Sequence, residues 1–216
     1  TKGNRIICVT GGTVSYSILG GSDSYNSGST NDGIVQGSTL VYVGGTVTVG
    51  GGSGELYGVE SGSVFGAGGG DTTSAQKGTV YNSHVIINGG TITTSVYGGG
   101  NHGSTGTQYA GTSTAKVEIL AGTIGSVYGG GNMSSVTTTH VYLNGATATN
   151  IFGGSNTLGD VTTSNVQITS GTVQNVYGGN NAGGTTGDSN VSITGGTITG
   201  NVYGGGQGAS TVVSND

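Results

Sequence analysis

Apolar residues two apart recur in short runs along the chain: Ile7/Val9, Val85/Ile87, Val117/Ile119, Val141/Leu143, Val166/Ile168 and Val191/Ile193. That spacing puts both members of a pair on one face of a strand. The second copy admits two readings, Leu40/Tyr42 or Val41/Val43. The residues between the pairs are Cys8, Val41, Ile86, Glu118, Tyr142, Gln167 and Ser192, a mixed column of the kind a solvent face carries. After each run comes a corner of the Gly-Gly-Thr type and a Thr-aliphatic strand. In the last copy these are Gly195-Gly196-Thr197-Ile198-Thr199.

A third strand then ends in an aliphatic residue, an aromatic one and glycines. The copies are Val96-Tyr97-Gly98-Gly99-Gly100, Val127-Tyr128-Gly129-Gly130-Gly131 and Val202-Tyr203-Gly204-Gly205-Gly206, with Ile151-Phe152-Gly153 and Val176-Tyr177-Gly178 as variants. Ile18-Leu19-Gly20-Gly21 and Val64-Phe65-Gly66 are looser copies upstream. Aligned on the Thr of the second strand, the copies fall at Thr13, Thr46, Thr91, Thr123, Thr147, Thr172 and Thr197. The last two intervals are 25 residues each.

Short strands, glycine corners and columns that repeat from copy to copy predict an all-β chain. The predicted fold is a right-handed parallel β-helix (β-solenoid) of about seven rungs of roughly 25 residues. The hand follows that of parallel crossovers in general. Rungs stacked about 4.8 Å apart would make a rod about 34 Å long. The whole chain, 1–216, reads as one solenoid domain, part of a longer protein or fibre. No amphipathic helix or charged cap stands at either end, so cover for the end strands is expected from adjoining sequence or another subunit. Thr211-Val212-Val213 reads as an eighth first strand begun.

Within the stack, Tyr97, Tyr128, Phe152, Tyr177 and Tyr203 are expected to form an aromatic ladder, inside or outside the core. Asn101, Asn132, Asn181 and Gln207 would make an amide ladder or cap the turns. Glycine is expected at the corners for its access to positive φ. Four inserted segments, Ser22 to Gly37, Gly50 to Gly62, Gly69 to Asn82 and Asn101 to Ser113, are expected at one position of the coil and hence on one side of the rod.

Composition narrows the partners. With 51 Gly, no Pro and no three-residue period, the chain is not collagen-like, and with only 6% charged residues it is not a typical disordered linker. Lys2, Arg5, Lys77 and Lys116 are scattered and the net charge is −5, which argues against nucleic acid. No stretch is long and apolar enough for a membrane-spanning helix, so membrane insertion is not expected. Cys8 is the only cysteine and can form no internal disulfide.

Catalysis is not expected. The acids Asp23, Asp32, Glu55, Glu60, Asp71, Glu118, Asp160, Asp188 and Asp216 share no column, and Glu55 with Glu60 is the best remaining pair. His84, Lys116, His140, Asn165 and Asn190 do share a column, but histidines two rungs apart stand about 10 Å apart, too far to hold one metal. No cofactor is expected beyond an isolated Ca2+ in a loop such as Gly68-Gly69-Gly70-Asp71. Thr91, Thr93, Thr147, Thr149, Thr197 and Thr199 form a possible binding face. Its Thr-x-Thr pattern resembles the ice-binding face of solenoid antifreeze proteins, interrupted at Gly125 and Gln174; Thr also simply suits an exposed strand.

The Gly-Gly-Thr-Ile/Val pattern followed by Val-Tyr-Gly-Gly-Gly-Asn resembles the Gly-rich β-solenoid repeats of large bacterial surface proteins described as adhesin-like. The resemblance covers residues 83–210 well and 6–70 loosely. It implies a secreted or cell-surface protein serving as a stalk or fibre subunit. Its partners would be neighbouring subunits, adjoining rungs or surface glycans. A phage tail-fibre adhesin is the other Gly-rich candidate. The matching positions are structural, so the resemblance carries over no site residues.

Overall fold

The computed structural model describes residues 3–23, 33–54, 61–70, 78–102, 113–208 and 212–213. Its strands are β1 (Arg5–Val9), β2 (Thr13–Val14), β3 (Ile18–Leu19), β4 (Val35–Val49), β5 (Val64–Phe65), β6 (Val80–Tyr97), β7 (Thr114–Tyr128), β8 (Val136–Phe152), β9 (Val161–Tyr177), β10 (Thr185–Ile193), β11 (Thr197–Ile198), β12 (Val202–Tyr203) and β13 (Val212–Val213). No helix occurs among the described residues. Every pairing is parallel, and the long strands follow in chain order, β1-β4-β6-β7-β8-β9-β10-β13. The sheet is open and consistent with a parallel β-solenoid. Successive turns of chain along it are called levels below.

The three strands expected per repeat are separate only near the ends. In β6 they merge into one strand of 18 residues, and in β8 and β9 into strands of 17. Pairing continues through the corners because neighbouring levels turn together. Gly89, Gly90, Gly122, Gly145 and Gly171 take positive φ there, as a tight corner requires.

Register sets which residues face inward. One column runs Ile7, Val41, Val85, Val117, Val141, Val166, Val191, and its neighbour runs Val9, Val43, Ile87, Ile119, Leu143, Ile168, Ile193. In the second level Val41 and Val43 are therefore the inward pair, both 0% exposed, and Leu40 and Tyr42 are not. Each buried side chain of this size contributes about 1.5–3 kcal/mol of transfer free energy. The expectation that all the paired residues are buried holds only where a level has neighbours on both sides. Ile7, Val9 and Val191 are half-buried, and Ile193 is 38% exposed.

The Thr column also shifts. Thr48, not Thr46, pairs with Thr13 and Thr91, and Val49 stacks between Val14 and Ile92. The insertions occupy two corners rather than one. Gly50 to Gly62 lies between the second and third strands of its level (β4 and β5), whereas the other three lie between one level and the next.

The aromatic residues form a core of their own. Phe65, Tyr97, Tyr128, Phe152 and Tyr177 are buried together, against Leu19, apart from the main aliphatic cluster. From Phe65 to Tyr203 consecutive rings stack with centroids 4.6 to 4.9 Å apart and planes within 9°. The aliphatic partners of the buried rings, Val64, Val96, Val127, Ile151 and Val176, pack in the main core instead.

Two further columns run along the stack. Asn132 Nδ2 donates to Asn101 Oδ1, Asn156 Nδ2 to Asn132 Oδ1 and Asn181 Nδ2 to Asn156 Oδ1, at 2.8 to 3.0 Å. Asn156 belongs to this ladder although the repeat pattern did not single it out. Behind the rings, hydroxyls of Thr39, Ser83, Thr139, Ser164 and Ser189 donate to the carbonyls of Gly66, Gly98, Gly153, Gly178 and Gly204 at 2.5 to 2.6 Å. The first glycine after each aromatic does not take positive φ. It is glycine because the levels approach too closely: a Cβ on Gly66, Gly98, Gly129, Gly153 or Gly178 would stand well inside 3.0 Å of the next level's glycine carbonyl oxygen.

Candidate functional site

Two exterior faces carry the polar chemistry. On the second strand, Thr13, Thr48, Thr91, Thr123, Thr147, Thr172 and Thr197 stand in one unbroken register column. Most are exposed; Thr48 and Thr172 are half-buried. The adjoining column is less regular. Thr93, Thr149 and Thr199 are exposed, but a Cβ at Gly50 would meet Thr93, and Gly125 and Gln174 interrupt the rest. The pairing also shifts between Ile92 and Ser95, where Thr93 and Thr94 face the single Gly125. Thr91, Thr147 and Thr197 thus share one column, and Thr93, Thr149 and Thr199 lie beside it in a second that is interrupted.

The other face is the exterior of the first strand. Here Leu40, His84, Lys116, His140, Asn165 and Asn190 lie in register, and beside them Tyr42, Ile86, Glu118, Tyr142, Gln167 and Ser192. Lys116 Nζ forms an ion pair with Glu118 Oε1 and lies 5.2 Å from the centre of the Tyr142 ring. His84 Nε2 stands 3.2 Å from Glu118 Oε2 without hydrogen-bond geometry, so that contact is electrostatic and depends on ring protonation. The His140 and Tyr142 rings are nearly parallel, 12° apart, with centroids 6.2 Å apart.

Burial pushes the Glu118 carboxyl up, but the hydrogen bond and charge of Lys116 and the charge of His84 outweigh it. The group sits below the ordinary carboxylate value. His140 is held below the ordinary imidazole value, first by burial and then by the Lys116 charge. At neutral pH the Glu118 carboxylate and the Lys116 ammonium are therefore a pair, and His140 is neutral.

Two shallow depressions share Tyr142 and Gln167 as their common wall. One, of about 240 Å³, is also lined by Glu118, Leu120, Leu143, Asn144 and Thr169. The other, of about 270 Å³, is also lined by His140, Asn165, Val166, Asn190 and Ser192. The repeat alignment found the column of His84, Lys116 and His140. It did not join that column to Glu118 and Tyr142, because their meeting depends on which face of each strand points outward.

Among the described residues, no three His, Cys, Asp or Glu side chains gather as metal ligands. Glu55, Glu60, Asp32, Asp71 and Asp216 lie outside the described residues, as do Lys2, Lys77 and Thr211. Cys8 is exposed. No family model, no curated protein and no solved structure matches the chain.

Proposed function

We propose that this chain is a non-catalytic section of an extracellular structural or adhesive assembly, built as a right-handed β-solenoid of about seven rungs. The observation that carries the reading is the continuity of its ladders. Rings, amides and glycine carbonyls repeat from level to level, and in the last full level they stand open: Val202 is 48% exposed, Tyr203 44%, and a Cβ on Gly204 would meet nothing within 4 Å. Such a surface accepts another level of the same kind by strand addition, from a neighbouring subunit or from adjoining rungs of a longer chain. A net charge of −5 over 216 residues offers little repulsion against that contact. Glu118 is engaged by Lys116 and His84 rather than poised for proton transfer.

Electron microscopy of the purified chain, with cell- and glycan-binding assays beside it, tests the proposal. Filaments or surface binding are expected. Soluble monomers at high concentration that bind neither cells nor glycans would refute it. Ice binding through the Thr column is the competing reading, and clear thermal hysteresis lost on Thr147→Tyr would favour it.

A further inference from the structure

We infer that the exterior of the first strand around Tyr142 is a binding site for a neutral oligosaccharide. The inference rests on the adhesive reading above and gives that reading a place and a ligand class.

The argument starts from what the two depressions offer. Their shared wall is an aromatic ring and an amide, Tyr142 and Gln167. Gln167 is exposed, and its side chain engages no protein group among the described residues, so its donors and acceptor are available. Asn190 is exposed and spends one N–H on Asn165 Oδ1 at 3.3 Å, which leaves its carbonyl oxygen and second N–H facing out. A pyranose has an apolar face that lies on an aromatic ring and a rim of vicinal hydroxyls that both donate and accept. Amides match that rim because each carries both kinds of group. Two adjacent depressions with a common aromatic wall suit two consecutive sugar units.

Charge selects the class. Lys116 is paired with Glu118 and lies close to the Tyr142 ring, and His140 is kept neutral at pH 7. Lys116 and His84 both face the Glu118 carboxylate, so these side chains offer no uncommitted cation to recognise carboxylate, sulfate or phosphate groups. Acidic polysaccharides are therefore disfavoured relative to neutral hexose and N-acetylhexosamine chains. The Lys116 contact also limits the freedom of the Tyr142 ring, which lowers the ordering cost of binding.

Cello-, chito- and malto-oligosaccharides, with oligogalacturonate as the acidic comparator, are titrated into the full chain. Binding is followed by saturation-transfer NMR and calorimetry. At least one neutral series is expected to bind. Tyr142→Ala should weaken it by roughly tenfold or more, Tyr142→Phe should hold affinity within about threefold, and Gln167→Ala should lose affinity in the first depression and the second alike. Thr149→Ala, on the other exterior face, should change nothing. All three positions are on the exterior, and an unchanged melting curve shows that each variant is folded. Neutral sugars bound with the same affinity by Tyr142→Ala and Gln167→Ala would overturn the site and leave the adhesive reading standing. Preference for oligogalacturonate would overturn the ligand class. Binding of none of the four series would overturn the inference outright, while filament formation or cell binding decides the adhesive reading separately.

Discussion

The position a Cβ would occupy on Gly98 falls well inside 3.0 Å of the carbonyl oxygen of Gly129 in the next level. Backbone cannot yield there as the tip of a side chain could, so a methyl group must push two levels of the sheet apart. Gly98→Ala is expected to destabilise by about 1–3 kcal/mol or more, the cost of overpacking a filled interior. Gly204 occupies the same column with open space around its Cβ position, and Gly204→Ala should leave the melting temperature unchanged. If levels of neighbouring molecules stack on Gly204, that same silent variant should abolish filaments. Equal destabilisation by both changes in thermal melts would contradict the stacking account.

Ala115 lies in register between Ser83 and Thr139, whose hydroxyls bond the carbonyls of Gly98 and Gly153. It has no hydroxyl to offer Gly129. Ala115→Ser should add the missing bond and stabilise the chain by about 0.5–1.5 kcal/mol, a rise in melting temperature of about 2–4 °C per kcal/mol. A fall on differential scanning calorimetry would show that the column cannot accommodate the oxygen there.

Ile168 and Ile193 share a column, yet one is 0% and the other 38% exposed. Ile168→Asp buries an unpaired carboxylate among the aliphatic residues and should cost about 3–5 kcal/mol. Ile193→Asp should be tolerated, because solvent reaches the carboxylate. Chemical denaturation of both variants measures the difference.

Acid should destabilise the chain in two windows. His140 is held below the ordinary value of 6.5, so the unfolded chain takes up the proton first. Its contribution is complete above about pH 6.5 and is lost as pH falls through the lowered folded value. Glu118, held below its ordinary 4.5, contributes above that pH and loses its contribution as pH falls through its own lowered value. His140→Asn fits a column that already holds Asn165 and Asn190, and it should erase the upper window while leaving the lower one. Melting temperatures from about pH 7.5 to about pH 2.5 test this. An unaltered pH profile in His140→Asn would place the upper window elsewhere.

The sequence by itself determined that strands dominate, that they repeat, and which residues come into line in the regular levels. Val141 over Val166 and Tyr128 over Phe152 can be read off a repeat of about 25 residues, because equal spacing brings equal residues into register. It left undecided whatever depends on the neighbouring level. Leu40, Val41, Tyr42 and Val43 are all apolar, so a period of two fits either face, and only pairing with Ile7 and Val85 turned Val41 inward. Thr46 and Thr48 flank Val47 with the same local pattern, and the corner geometry chose Thr48. Both members of each Val-Tyr pair suit burial; packing divided them between an aliphatic core and a separate stack of rings. Ser83 and Ser164 look like surface residues in sequence, and they are buried because a glycine carbonyl 14 or 15 residues later needs a donor. The grouping of Lys116 and Glu118 with Tyr142 from the next level likewise has no one-dimensional signature. It arises from register between levels and from which face of each strand is outward, and both are properties of the stacked sheet rather than of any one segment.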